Sequence, residues 1–149
     1  ERPGGMRIFA CQHLTREVVW VPALMEHRNT ARRIDRVELV SEKPEAAAGQ
    51  MSRLIDQPAN LEPDGAFRVE SGGSRGAFVF LAADTLRRRY PGLDMGPLPR
   101  EGAVSLCLRV DDEDTALATA GGAARRIGPG RVAIPPSAAT GVLLELATG

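Results

Sequence analysis

Hydrophobic and polar positions along the chain fall into two similar series of elements. Residues 34–40 place Ile34, Arg36, Glu38 and Val40 on one face of an extended strand and Asp35, Val37 and Leu39 on the other. Apolar residues on both faces fit a strand covered on both sides. Lys43-Pro44 opens a helix, since proline in a first turn gives up an N–H that has no intrahelical partner. Ala47, Met51, Leu54 and Ile55 then mark one helical face at i, i+4, i+7 and i+8. Residues 56–65 read as a polar, proline-containing loop. Residues 66–71 and 77–82 read as strands joined by the Gly-rich stretch 72–76. A short helix over 84–90 ends at Pro91, and the Gly- and Pro-rich residues 92–102 form a linker.

The pattern then restarts. Val104, Leu106, Leu108 and Val110 alternate with Ser105, Cys107 and Arg109 at a period of two. Asp112 is a helix N-cap, Glu113 and Asp114 suit the positive end of a helix dipole, and Gly121-Gly122 ends the helix. Gly128-Pro129-Gly130 turns a hairpin between 123–127 and 131–134, and residues 142–146 form the last strand. Ahead of both series, residues 6–11 read as a strand, the apolar run 18–21 stops at Pro22, and 25–33 is a polar connection. A strand, a helix and a hairpin thus recur about 70 residues apart, which suggests duplicated units rather than a solenoid of three or more copies. Each unit has too little helix to cover its sheet, so the two are expected to shield each other's apolar faces. The chain divides into an N-terminal segment 1–33, a βαββ module 34–91, the linker 92–102 and a βαβββ module 103–149.

Composition narrows the function. Lys+Arg and Asp+Glu balance at 19 each, which argues against the basic excess of a nucleic-acid-binding chain. No apolar run approaches the ~20 residues that span a bilayer, and residues 1–5 carry no hydrophobic signal core, so no membrane partner and a cytoplasmic setting are expected. Cys11 and Cys107, far apart in apolar runs, read as two small buried thiols. The Gly-rich stretch 72–76 lacks the lysine and helix of a phosphate loop, there is no Cys-x-x-Cys pair, and no serine sits on a nucleophile elbow. Arg87, Arg88 and Arg89 read as a solvated helix face.

Several segments go beyond pattern. Cys11-Gln12-His13-Leu14-Thr15, Trp20 and His27-Arg28-Asn29-Thr30-Ala31 resemble a segment of glyoxalase-like proteins of the vicinal-oxygen-chelate superfamily. Arg88-Arg89-Tyr90-Pro91 and Gly141-Val142-Leu143-Leu144-Glu145-Leu146 are similar to the same family. The resemblance implies an α+β fold of paired βαββ(β) modules whose curved mixed sheets form a cleft. It implies one divalent metal there (Zn, Fe, Mn or Ni) polarising vicinal oxygens of a small molecule in a lyase, isomerase or dioxygenase. Related metal-free proteins of the bleomycin-resistance kind use the same cleft to bind small molecules. Longer members carry a further module ahead of the Cys-Gln-His segment, and the start at Glu1 is consistent with its absence here.

The candidate site follows from that resemblance. Glu145 matches the carboxylate ligand position on the closing strand, and His13 and His27, the only histidines, are the other candidate ligands. Arg36 and Ser105 stand where histidine ligands are usual. A guanidinium has no lone pair to offer, so Arg36 either holds an anionic ligand or pairs with Glu145. Gln12 and Asn29 complete the ligand-binding candidates, with loop capping as their simpler role. Trp20 is read as core or interface. Exposed sheet edges and half a cleft predict a homodimer.

Overall fold

The computed structural model describes residues 2–9, 12–73 and 75–149. The first unit runs β1 (Ala31–Val40), α1 (Pro44–Ile55), β2 (Ala59–Leu61), β3 (Phe67–Glu70) and β4 (Ala77–Leu81), and α2 (Ala83–Arg89) follows it. The second runs β5 (Gly102–Val110), α3 (Glu113–Ala120), β6 (Arg125–Gly128), β7 (Arg131–Ile134) and β8 (Leu143–Ala147). All eight strands form one curved, open, mixed sheet in the order β2-β3-β4-β1-β5-β8-β7-β6. In each unit the first strand pairs in parallel with the last, β1 with β4 and β5 with β8. The units meet along the antiparallel β1–β5 seam, which runs from Ala31 opposite Val110 to Val40 opposite Gly102. The α+β fold read from the sequence is the one observed.

The two units do not shield each other face to face, as the sequence suggested. They join edge to edge, and each covers one sheet face with its own helix. Ala47, Ala48 and Met51 of α1 pack on Leu39, Val69 and Phe80, whereas Ala116 of α3 packs with Ala31, Val110, Val132 and Leu146. The opposite face is partly closed by α2 and the segment after it. Leu86, Tyr90, Leu93 and Met95 pack there on Val40 and Val79 of one unit and on Val104, Ala133 and Leu143 of the other. A strand edge satisfies backbone hydrogen bonds as well as apolar area, which face-to-face packing leaves open.

Local signals explain most element ends. Asp112 accepts a hydrogen bond from the Thr115 backbone N–H at 2.7 Å, as an N-cap should. Pro44 lies in the first turn of α1, and Asp56 closes that helix in the left-handed region. Gly76 has a different role. A Cβ there would lie 2.8 Å from the Ile34 carbonyl oxygen, so the absence of a side chain lets β4 enter beside β1.

Three local readings are corrected. Residues 6–9 form no strand: Ile8 and Phe9 are exposed and pair with no strand among the described residues, and Ala10 and Cys11 lie outside the described residues. Ala59–Leu61, read as loop, is β2. Its three residues are exposed, so backbone pairing with β3 defines it rather than any hydrophobic alternation. Leu54, assigned to the buried face of α1, is exposed, and Ala48 takes that place. Among the described residues, no helix is long and apolar enough to cross a membrane.

Candidate functional site: a guanidinium–carboxylate centre on the cleft floor

Strand register brings a charged group to the middle of the sheet. Glu38 lies opposite Ser105, Arg36 opposite Cys107, and Cys107 opposite Glu145, so side chains from β1, β5 and β8 share one face. Glu38, Ser105, Cys107 and Glu145 are buried. Buried carboxylates persist only when paired and hydrogen-bonded, and here every carboxylate oxygen has a partner. Arg36 donates from Nε to Glu38 Oε1 at 3.0 Å and from Nη2 to Glu145 Oε2. Arg89 donates from Nη1 to Glu38 Oε1 at 2.8 Å, and Arg131 donates from Nε to Glu145 Oε1 at 2.5 Å.

Tyr90 closes the group from above. Its hydroxyl lies 2.7 Å from both Glu38 Oε2 and Glu145 Oε2, and 3.3 Å from Ser105 Oγ. A phenol has one proton and donates to one carboxylate at a time. Donation to Glu38 leaves Glu145 with Arg36 and Arg131. The Arg131 guanidinium also lies 5.7 Å from the Tyr90 ring centre, a cation–π contact that fixes both side chains.

The electrostatics follow from burial opposed by charge. Burial pushes the Glu38 carboxyl up, but Arg36, the Tyr90 hydrogen bond and Arg89 together hold it below the usual carboxylate range. Burial, then Glu38 and Glu145, push the Tyr90 phenol up. Burial and the nearby Glu145 push the Cys107 thiol up to about 12, and Arg36 Nη1 donates to its Sγ at 3.2 Å. Burial opposes the charge on Arg36, yet Glu38 and Glu145 raise its pKa overall.

Above this floor is an open cavity of about 340 Å³, lined by Arg36, Glu62, Asp64, Arg68, Arg89 and Arg131. Arg89 ties it together, reaching Asp64 from Nε at 2.6 Å and Glu62 from Nη2 in the turn between β2 and β3. Arg87 and Arg88 are exposed, as read from the sequence, whereas Arg89 is drawn into the cleft.

The candidate residues separate in space. Glu145, Arg36 and Ser105 meet in the centre just described, and Arg36 pairs with Glu145, one of its two expected roles. His13 and His27 lie exposed in the segment ahead of β1. Among the described residues, no three His, Cys, Asp or Glu side chains could hold a metal ion together, so His13, His27 and Glu145 form no ligand set. The centre itself does not fit a divalent metal either. The Arg36 guanidinium stands between Glu38 and Glu145, has no lone pair, and together with Arg89, Arg131 and Tyr90 uses all four carboxylate oxygens. Asn29 accepts from the Ala31 backbone N–H at 3.2 Å, a loop cap, and with His27 lines a separate cavity of about 240 Å³. Gln12 is exposed. Trp20 is half exposed and stacks under Arg16 at 5.3 Å. Glu38, Arg89, Tyr90 and Arg131 were not nominated from the sequence. The available signals were Glu38 two residues from Arg36 on the same face of an apolar strand, and the family-like segment Arg88-Arg89-Tyr90-Pro91, which holds Arg89 and Tyr90.

Solved structures of other proteins share this fold. Methylmalonyl-CoA epimerase from Mycobacterium tuberculosis superposes with a TM-score of 0.57 at 21% identity, covering 83% of this chain and 92% of that one. A Streptomyces coelicolor methylmalonyl-CoA epimerase in complex with 2-nitronate-propionyl-CoA gives 0.51 at 14% identity, over 80% and 98%. A xylose isomerase-like TIM barrel/4-hydroxyphenylpyruvate dioxygenase fusion protein gives 0.51 at 16% identity, over 80% of this chain and 20% of that one. No protein-family model and no curated protein sequence matches the chain.

Proposed function

We propose that this protein is a small-molecule-binding member of the glyoxalase-like fold whose cleft works without a bound metal. The single observation that carries the reading is the Arg36 guanidinium bonded to both Glu38 and Glu145. It supplies a fixed positive charge between two carboxylates, a place otherwise suited to a metal cation. The metal-dependent lyase, isomerase or dioxygenase reading would need donors that the centre has already committed to Arg36, Arg89, Arg131 and Tyr90. The cavity above the centre is open and polar, and a small oxygenated molecule is the ligand it suits. A homodimer in the reducing cytoplasm completes the proposal, supported by the exposed outer strand β2 and the buried free thiol of Cys107.

Metal analysis tests this directly. The protein is exposed to Zn, Fe, Mn and Ni salts, desalted and assayed for bound metal beside Glu145→Ala. Metal at or below the level of the variant is expected. Stoichiometric metal that Glu145→Ala loses would overturn the proposal.

A further inference from the structure

The cleft floor and the cleft mouth differ in one respect, the hydrogen-bonding capacity left over. On the floor, each carboxylate oxygen of Glu38 and Glu145 accepts at least one hydrogen bond. At the mouth, Glu62 and Asp64 are taken up mainly by Arg89. Arg131 and Arg68 are different. Among the described residues Arg131 uses only Nε in an ion pair, so both of its Nη groups keep their protons for a ligand. Arg68 uses Nε on Glu70 at 2.5 Å, and its Nη1 stands 3.8 Å from Glu62, beyond hydrogen-bonding distance. The side chains of Arg68 and Arg131 are 27% and 35% exposed, so their Nη groups are within reach of solute.

The two arginines come from matching places in the fold. Arg68 is on β3 and Arg131 on β7, the corresponding strands of the two units, and they line the same cavity. Arg131 is already held by Glu145 below and by the Tyr90 ring beside it. Its planar fork therefore needs little further ordering to meet a ligand. Beside these free Nη donors only Glu62 Oε1 lacks a hydrogen bond among the described charged groups of the lining, and an excess of donors selects an acceptor-rich, negatively charged group.

Resting on the metal-free reading above, we propose that Arg131 and Arg68 form an oxyanion site at the cleft mouth, which takes a carboxylate or phosphate group of a small ligand. Guanidinium groups recognise either through paired N–H···O bonds. The ligand's charged end lies across the two units, with Arg36 at the base of the cavity.

Nuclear magnetic resonance of the intact chain, observing arginine side-chain N–H groups, separates the outcomes. The probes are malonate, inorganic phosphate and the neutral malonamide. Saturable shifts centred on Arg131 and Arg68 are expected with malonate, phosphate or both, and none with malonamide. The stronger of the two anions shows which oxyanion is preferred. Arg68→Gln and Arg131→Lys should each weaken that binding about tenfold, the equivalent of one charge-assisted hydrogen bond. Arg131→Lys keeps a cation beside Glu145, so loss of the fold is not the expected result, and the wild-type shifts test the site in any case. Equal saturation by malonamide would overturn the oxyanion site and leave the metal-free cleft standing. Anion shifts that never saturate or map elsewhere would also overturn it. Stoichiometric divalent metal on the same protein would instead remove the reading beneath it.

Discussion

Glu38 and Cys107 are neighbours on the cleft floor but titrate in opposite directions, and each leads to a measurement. In an unfolded chain a glutamate titrates near ~4.3. The folded value of Glu38 is lower, because Arg36, the Tyr90 hydrogen bond and Arg89 outweigh burial. Its stabilisation is therefore complete above the unfolded value and lost as pH falls through the folded one. Thermal melts of wild type should lose stability below about pH 4.3 more steeply than those of Glu38→Gln. At neutral pH that variant should melt earlier, since truncating one partner of a buried ion-pair network costs about 3–5 kcal/mol. Parallel acid limbs in the two proteins would show that Glu38 is not the titrating group. For Cys107 the folded pKa is raised, to about 12, from ~8.5 in an unfolded chain. Stability from this thiol is whole below the unfolded value and lost as pH climbs towards the folded one. In a Cys11→Ser background, a thiol reagent at pH 8 should modify Cys107 only as fast as the chain unfolds. A rapid native-state reaction would be inconsistent with the buried thiol. Of this centre, Arg36, Ser105 and Glu145 were legible in the sequence, because the resemblance pointed to first and closing strands. Tyr90, though within a family-like segment, and Arg131 were not. An aromatic residue ending a helix and an arginine opening a hairpin strand carry no local mark of a partner 55 or 14 residues away.

Among the elements, those with a strong period or cap were legible and those held by pairing alone were not. β5 has clean alternation and α3 a capping aspartate, and both were expected. β2 has neither, being a three-residue edge strand formed where β3 offers hydrogen bonds. Residues 6–11 show the converse. They have strand-like composition, but the described residues 6–9 find no edge to pair with, so propensity alone leaves them irregular. The β1–β4 contact turns on Gly76. An added Cβ would meet the Ile34 and Asp35 carbonyl oxygens at 2.8 and 3.1 Å, and main-chain atoms in a paired strand cannot swing aside. Gly76→Ala is expected to cost about 1–3 kcal/mol as an overpacking substitution, read from urea denaturation. An unchanged midpoint would mean that β4 shifts along β1 at little cost.

At the scale of the molecule, the segment ahead of β1 stands out. Phe9, Leu14 and Leu24 are 86%, 86% and 74% exposed, and Val18, Val19, Trp20 and Met25 are also on the surface. Large apolar side chains exposed so often in one segment are read as an interaction site. With the open sheet ends at β2 and β6, a second copy of the chain is the expected partner. Light scattering should give a dimer mass, and Phe9→Ser with Leu14→Ser should shift it towards the monomer. A monomer at high protein concentration would count against the dimer. The sequence by itself determined what depends on near neighbours: the period of the strands, the capped helices and the repeated order of elements in two units. Only the tertiary structure decided that the units join along β1 and β5, and which strand faces line the cleft. It alone brought Arg36 onto Glu145, 109 residues away. The physical reason is that hydrogen-bonding register between distant strands, together with the cost of burying charge unpaired, selects those partners, and neither is written in a local pattern of residues.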